Sequence, residues 1–319
     1  MKLSEFNRMM WSFASHRVIT VAARVGILRR LSEGPATEAQ VAEELGLDPL
    51  AAGKVVRALH ALAIVEADGD SYRVIESLAR HLVPGADDIT PMLMHSHSMY
   101  ESWGANLEPW LRGEPWETRP RDDDQVAAFG AAMQAIGSYV AKQVAELLDL
   151  SGARAMLDVG GGFGQYSRAL CRVNPGLRAK VLDIPPVAEM ARLEAAQGEF
   201  ADRIEWLPGD YLETDYGSGY DLVLFANVLH QEGADRAAEM IGRGAAALNS
   251  GGRVVVVDFA IDDSQREHLQ GCLFAINMRS FGDTYPEATI RGWMESAGLG
   301  GVERIDIDPV RWLIVGKKG

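Results

Sequence analysis

From Phe6 to Leu31 apolar residues return at helical spacing, and Ser32-Glu33-Gly34-Pro35 ends the run. The pattern then predicts a short helix from Thr37 to Leu45, with Thr37 and Gln40 as a capping-box pair and Gly46 as the stop. A second helix is predicted from Asp48 to about Ala63, with Asp48 as its cap and Pro49 at the first helical position. Ile64-Val65-Glu66 and the segment Ser71 to Ile75 flank the turn Ala67-Asp68-Gly69-Asp70, which predicts a β-hairpin. Helix, turn, helix and hairpin in this order predict a winged helix. Residues 86 to 150 continue as helices, with a polar interruption around Glu114 to Asp124.

After Gly152 the period changes. Short apolar runs at Ala155–Val159, Ala179–Leu182, Ile204–Leu207, Leu222–Ala226, Val254–Asp258 and Val310–Val315 alternate with helical stretches. This alternation predicts an α/β fold, a mostly parallel doubly wound sheet with helices on both faces. The expected division is a helical domain over residues 1–110, a helical connector over 111–150 and the sheet domain over 151–319.

Composition narrows the partners. The 319 residues suffice for two domains, and 47% apolar content is ordinary for a globular protein. A net charge of −14 argues against a general affinity for nucleic-acid backbones, which draw on clustered Lys and Arg. No stretch approaches the roughly 20 apolar residues of a membrane span, and the N-terminus lacks an apolar signal core. A cytoplasmic protein is expected. Cys171 and Cys272 are too few and too isolated for a disulfide framework or a zinc site and read as buried thiols.

The chemistry begins at Leu157 to Gly164, where the first strand of the sheet domain ends and a helix opens at Gln165. Glycines let backbone turn sharply and approach a ligand, and a helix N-terminus adds a positive dipole end. The dinucleotide pattern G-x-G-x-x-G is absent, because Gln165 stands where its third glycine would fall. What stands here is D-x-G-x-G-x-G, from Asp158 through Gly160, Gly162 and Gly164. Asp183 ends the next strand, where an acid can accept ribose hydroxyls. Asp210 follows the third, where a carboxylate can accept from an adenine amino group while Tyr211 packs on the ring.

This spacing resembles motif I of the class I methyltransferases. The segments Asp158 to Gly164, Leu182 to Pro186, Gly209 to Tyr211, Val228 to His230 and Gly251 to Val254 follow one another as in the plant-type small-molecule O-methyltransferases. That family includes caffeic acid and hydroxyindole methyltransferases and bacterial enzymes of secondary metabolism. The resemblance implies a Rossmann-like catalytic domain that binds S-adenosyl-L-methionine and releases S-adenosyl-L-homocysteine. It implies that residues 1 to about 110 serve homodimerisation rather than DNA reading. It assigns Asp158, Gly160, Gly162, Gly164, Asp183, Asp210, Tyr211 and Asn227 to the cofactor, His230 to the role of general base, and Asp258 to its carboxylate partner.

An imidazole with an ordinary pKa near ~6.5 suits removal of a phenol proton. A structural or substrate-contacting histidine is the other reading of His230. The chain departs from the family pattern in four places. Gln231 follows the histidine, Asp258 replaces a glutamate, Thr284 with Asp283 stands near an expected second glutamate, and Ala226 replaces a frequent lysine.

The resemblance also points to Met94, His97, Tyr100, Trp103, Met133, Phe274, Asn277 and Met278 as the lining of a site for a small aromatic or polyketide-like acceptor; plain core packing is the alternative for each. His95 and His97 have no evident third ligand, so no metal is expected. His16, His60, His81 and His268 have no nameable partner, and Met9, Met10, Trp11 and Phe13 read as dimer-buried. Two competing functions stay open. One keeps the cofactor but methylates carbon or nitrogen, or serves a hydroxylation or decarboxylation. The other is a transcription regulator whose Lys54 and Arg57 reach DNA.

Overall fold

In the computed structural model, residues 86, 118–122, 197 and 279–280, and the side chains of 123–129, lie outside the described part of the chain. The polar stretch Glu114 to Asp124 therefore falls largely outside it. Met1–Ile136 and Gly137–Gly319 form separate compact units.

The first unit holds α1 (Leu3–Met10), α2 (Ser12–Arg24), α3 (Ile27–Glu33), β1 (Ala36–Thr37), α4 (Glu38–Leu45), α5 (Pro49–Ala61), β2 (Val65–Asp68), β3 (Ser71–Val74), α6 (Glu76–Ala79) and α7 (Thr90–Leu111). Helix α8 (Asp123–Leu147) follows. The single helical run expected from Phe6 to Leu31 is broken twice, at Trp11 and at Val25-Gly26. Gly26 sits at φ +89°, where a side chain is strained. The caps fall where the sequence put them. Thr37 Oγ1 accepts from the Gln40 N–H at 3.2 Å, Gln40 Oε1 accepts from the Thr37 N–H at 2.9 Å, and Asp48 accepts from the Ala51 N–H at 2.8 Å. Each such cap is worth about 1 kcal/mol. The hairpin is tighter than expected: Asp68 pairs with Ser71, so the turn is Gly69-Asp70 alone. Strand β1 joins it in the order β1-β3-β2. Ile27, Leu28, Leu31, Val41, Val56, Leu59, Val65 and Val74 fill the core.

The second unit is built on β4 (Ala155–Val159), β5 (Arg178–Asp183), β6 (Ile204–Pro208), β7 (Tyr220–Ala226), β8 (Leu248–Phe259), β9 (Leu299–Asp308) and β10 (Arg311–Lys318). Between them run α9 (Gln165–Val173), α10 (Pro185–Ala195), α11 (Ala234–Ala247), α12 (Leu269–Ala275) and α13 (Glu287–Ser296). The sheet order is β6-β5-β4-β7-β8-β10-β9, with β4 to β8 parallel and β10 antiparallel to both its neighbours. Side chains alternate faces. Val255 and Val257 enter one apolar layer with Leu313 and Val315, while Val254 and Val256 enter the other with Trp312 and Ile314.

In this sheet, strand β9 is the strand the pattern misses. Half of its residues are exposed at the sheet edge, and Glu303, Arg304, Asp306 and Asp308 interrupt its apolar positions. The chain steps from β4 outward through β5 and β6, then returns to β7 on the other side of β4. The strand order thus reverses between β4 and β7, and the carboxyl ends of strands at such a switch point are the position ligands take in doubly wound sheets.

Candidate active site

Three glycines shape the loop after β4. Gly160, Gly162 and Gly164 all have positive φ, at +68°, +56° and +73°. A Cβ on Gly160 would lie 2.7 Å from Val228 Cγ2, so this glycine lets the β4 loop pack on the β7 loop. Gly161 has an ordinary φ but no room: its Cβ would sit 2.5 Å from the Asp158 carboxyl carbon. At Gly162 a Cβ would meet nothing within 4 Å, so this part of the loop faces open space.

The strand-end carboxylates hold this loop. Asp183 Oδ2 accepts from the Gly162 N–H at 2.8 Å, and its Oδ1 accepts from the Ile184 N–H at 2.8 Å. Burial raises its pKa, while those two N–H groups oppose the rise. Asp158 is fully buried; its Oδ2 accepts from Ser167 Oγ at 2.7 Å, while Oδ1 is buried with no partner. Burial pushes the Asp158 carboxyl up to about 7, helped by Asp183 and opposed by Ser167. Asp210 is exposed, and its Oδ1 caps the following turn by accepting from the Leu212 N–H at 2.7 Å.

The loop after β7 carries the proposed base. Asn227 takes a left-handed φ of +54°, and its Nδ2 donates to Tyr166 Oη at 3.0 Å. This turn lifts Leu229–Gln231 into a single 3-10 turn. His230 Nδ1 lies 2.6 Å from Asp258 Oδ1 at the end of β8, with both side chains buried. Asp258 Oδ1 also accepts from the Phe259 N–H at 2.8 Å, which fixes the carboxylate. His230 Nε2 has no hydrogen-bond partner among the described residues. The ring stands edge-on to Phe274 at 5.0 Å and to Phe259 at 6.0 Å, and these two phenyl rings stack on each other. A Cβ on Gly282 would overlap the His230 carbonyl.

Several side chains here escape sequence reasoning. Tyr166, Phe259, Gly282 and Glu232 matter only through contacts made by distant segments. Glu232 accepts from Tyr211 Oη at 2.9 Å, and its backbone carbonyl accepts from Tyr285 Oη. Thr284, near the position of an expected second glutamate, is buried and donates to the Gly271 carbonyl at 3.3 Å. Asp283 accepts from the Thr284 N–H. Asp258 is thus the carboxylate that the described residues bring to His230.

Of the acceptor-lining set, Phe274, Asn277 and Met278 belong to the second unit and are half-buried on or just after α12. Met94, His97, Tyr100, Trp103 and Met133 belong to the first. His97 is buried there against Arg17, Arg24 and Thr20. The four histidines whose partners the sequence does not name have them in the fold: His16 meets Ser96, and His60, His81 and His268 reach backbone carbonyls of Val65, Asp87 and Pro309. Cys171 is buried but Cys272 only half so. Among the described residues no group of three or more His, Cys, Asp or Glu could hold a metal ion, and no helix is long and apolar enough to cross a membrane.

The sequence profile of the O-methyltransferase domain matches residues 99–299, more than half of the chain. The chain belongs to this O-methyltransferase family. It is 27% identical over 305 residues to 3-hydroxy-5-methyl-1-naphthoate 3-O-methyltransferase of Streptomyces sahachiroi, covering 91% of this chain and 87% of the relative. It is 31% identical over 263 residues to the mitomycin biosynthesis 6-O-methyltransferase of Streptomyces lavendulae, covering 77% and 74%. The fold matches human N-acetylserotonin methyltransferase, solved in complex with S-adenosylmethionine, at a TM-score of 0.87 and 22% identity, over 100% of this chain and 99% of that one.

The methyltransferase depends on S-adenosyl-L-methionine. Its β4 loop fits that group on two observations of its own: the buried, unpartnered Asp158 Oδ1 and the open space over Gly162.

Proposed function

We propose that the protein methylates a hydroxyl of a small aromatic or polyketide-like acceptor, with His230 as the general base. The observation that carries the reading is the buried His230–Asp258 pair at 2.6 Å. With Nδ1 engaged by Asp258, the lone pair of Nε2 remains for an acceptor proton. The names of the two Streptomyces relatives, a naphthoate and a mitomycin O-methyltransferase, support the acceptor class.

The residues proposed to hold the cofactor are Asp158 and Asp183 at the ends of β4 and β5, and Gly160, Gly162, Gly164, Asp210, Tyr211 and Asn227 on the loops that follow β4, β6 and β7. When bound, the cofactor supplies a sulfonium methyl open to in-line displacement. His230 Nε2 would take the acceptor O–H proton and so leave the oxygen free to receive the methyl group. Asp258 keeps the imidazole in one tautomer and stabilises the charge that the ring gains. Phe274 and Phe259 present flat apolar surface beside the ring.

The first unit is proposed to pair two copies through residues 1–110, joined by 111–150 to the catalytic region 151–319, in a cytoplasmic homodimer. Helix α1 supports this. It buries none of its own residues, and Phe6, Met9, Met10, Trp11 and Phe13 are exposed. DNA reading is disfavoured further because Arg57 is ion-paired with Glu38.

The test is incubation with methyl-labelled S-adenosylmethionine and a panel of phenols, hydroxynaphthoates and polyketide aromatics, beside His230→Ala. Label in an ether oxygen–methyl product, lost in the variant, is the expected result. Label on carbon or nitrogen, or a product without label, overturns the reading.

A further inference from the structure

The seam between α2 and α7 in the first unit gathers two guanidiniums on one buried imidazole. Arg17 Nη1 lies 3.1 Å from His97 Nδ1, and Arg24 Nη1 lies 3.0 Å from Nε2 of the same ring. A neutral imidazole has one in-plane lone pair and one N–H, and an imidazolium has two N–H groups and no lone pair. With the proton on Nδ1, that N–H reaches Thr20 Oγ1 at 3.4 Å, and the single lone pair of Nε2 serves both Arg24 at 3.0 Å and Arg17 at 3.4 Å. Burial first, and then Arg17, hold the His97 pKa below its ordinary value, so the ring adds no charge of its own near neutral pH.

Glu101 is the carboxylate in contact with this cluster, and its contacts are loose. It stands 3.3 Å from Arg17 Nη2 and 3.4 Å from His97 Nε2, where charge-assisted bonds run at about 2.7–2.9 Å. Its side chain is 54% exposed. Beside it, His16 Nε2 meets Ser96 Oγ at 2.7 Å, while His16 Nδ1 is buried without a partner. Of the two guanidiniums, Arg17 alone meets a carboxylate among the described residues, and only loosely, while Arg24 rests on the buried imidazole.

We propose that Arg17, Arg24 and His97 form a binding site for the carboxylate of a small aromatic acid. A planar pair of oxygens matches the guanidinium fork and would relieve the one imidazole lone pair that both guanidiniums now use. Tyr100 makes the flat wall beside it: the ring stacks on His16 at 5.6 Å, lies under Arg17 at 5.2 Å and is 39% exposed. The site lies within the first unit, and testing it requires no turnover.

The experiment is calorimetric titration of the full chain with 1-naphthoate, the neutral 1-naphthamide and inorganic phosphate. Saturable naphthoate binding is expected, with a dissociation constant on the order of 1 mM or tighter, and none for the amide. Arg24→Gln, on an exposed helix end, should weaken it by about tenfold or more. Glu101→Gln should tighten it by about threefold, because a competing carboxylate is gone; a packing role would not produce that change. Arg17→Lys keeps the charge but loses the fork, and should weaken binding with an unchanged melting temperature. Equal binding of acid and amide, phosphate outcompeting naphthoate, or Arg24→Gln binding as well as the parent would each overturn the proposal. So would a parent that binds no naphthoate while Arg24→Gln loses its dimer, an outcome that assigns the surplus charge to a subunit contact.

Discussion

His230 and Asp258 meet at 2.6 Å although they come from different strand ends, 28 positions apart in the chain. The imidazole sits on the turn after β7 and the carboxylate at the end of the neighbouring strand β8, so parallel pairing brings them side by side. If Nε2 takes the acceptor proton, His230→Ala should lower kcat by about 10²–10⁴-fold and leave cofactor affinity within about twofold. Asp258→Asn keeps a hydrogen-bond acceptor for Nδ1 but removes the charge, and should cost about 10²-fold in kcat. Single-turnover rates beside calorimetric cofactor affinities check both. A His230→Ala enzyme with parental turnover from pH 6 to 9 would exclude the base role.

Gly162 and Gly161 should fail differently when substituted. Gly162 faces open space at φ +56°, so Gly162→Val projects branched methyls toward the proposed ligand and strains the backbone by about 1–2 kcal/mol. Loss of detectable cofactor binding in a protein that still folds is the expected outcome. Gly161→Ala instead drives a methyl into the buried Asp158 carboxyl and should lower the melting temperature more than Gly162→Ala does. Calorimetry and thermal melts of the three variants separate the effects, and equal melting temperatures for the two alanine variants would contradict this geometry.

How much of this was legible in sequence depends on whether the signal is local. The caps at Thr37 and Asp48, the glycine loop and the strands β4 to β8 are local, and they appear where the pattern put them. Strand β9 is not local: its polar positions make sense only once it lies at an exposed edge against β10. The break at Gly26 was hidden because the apolar period continues across it. In the site, Asp158 and His230 could be named from motifs. Asp158's unpartnered oxygen, the stack of Phe259 on Phe274 and the seat of Thr284 on α12 arise from tertiary packing that no spacing encodes.

The Asp158 carboxyl gives a pH prediction for the ligand-free protein. Burial raises its pKa from 3.8 to about 7 in the fold. The folded state therefore binds this proton more tightly than the unfolded chain does. That contribution to stability is fully present below the unfolded value and fades as pH rises from about 4 to about 7, by at most a few kcal/mol. Asp158→Asn removes the titration. Its stability relative to the parent should rise between pH 5 and pH 8, as read by denaturant unfolding of both proteins. A difference that does not change with pH would mean that the carboxylate is ionised throughout.

The last prediction concerns Tyr211 and Glu232, which tie the loop after β6 to the turn that carries His230. Tyr211 Oη donates to Glu232 Oε1 at 2.9 Å, and Arg243 braces the same loop by donating to the carbonyls of Tyr211 and Leu212. Tyr211→Phe removes the donor but keeps the ring, so stability should fall by only about 1–2 kcal/mol. If the bond also sets the His230 turn, Tyr211→Phe and Glu232→Gln should each lower kcat by several-fold, and the double variant should lose little more than either alone. Non-additivity in kcat with additive changes in cofactor affinity is the signature of a shared positioning contact. Additive losses in kcat would make the pair a local brace of the β6 loop, with no bearing on where the imidazole points.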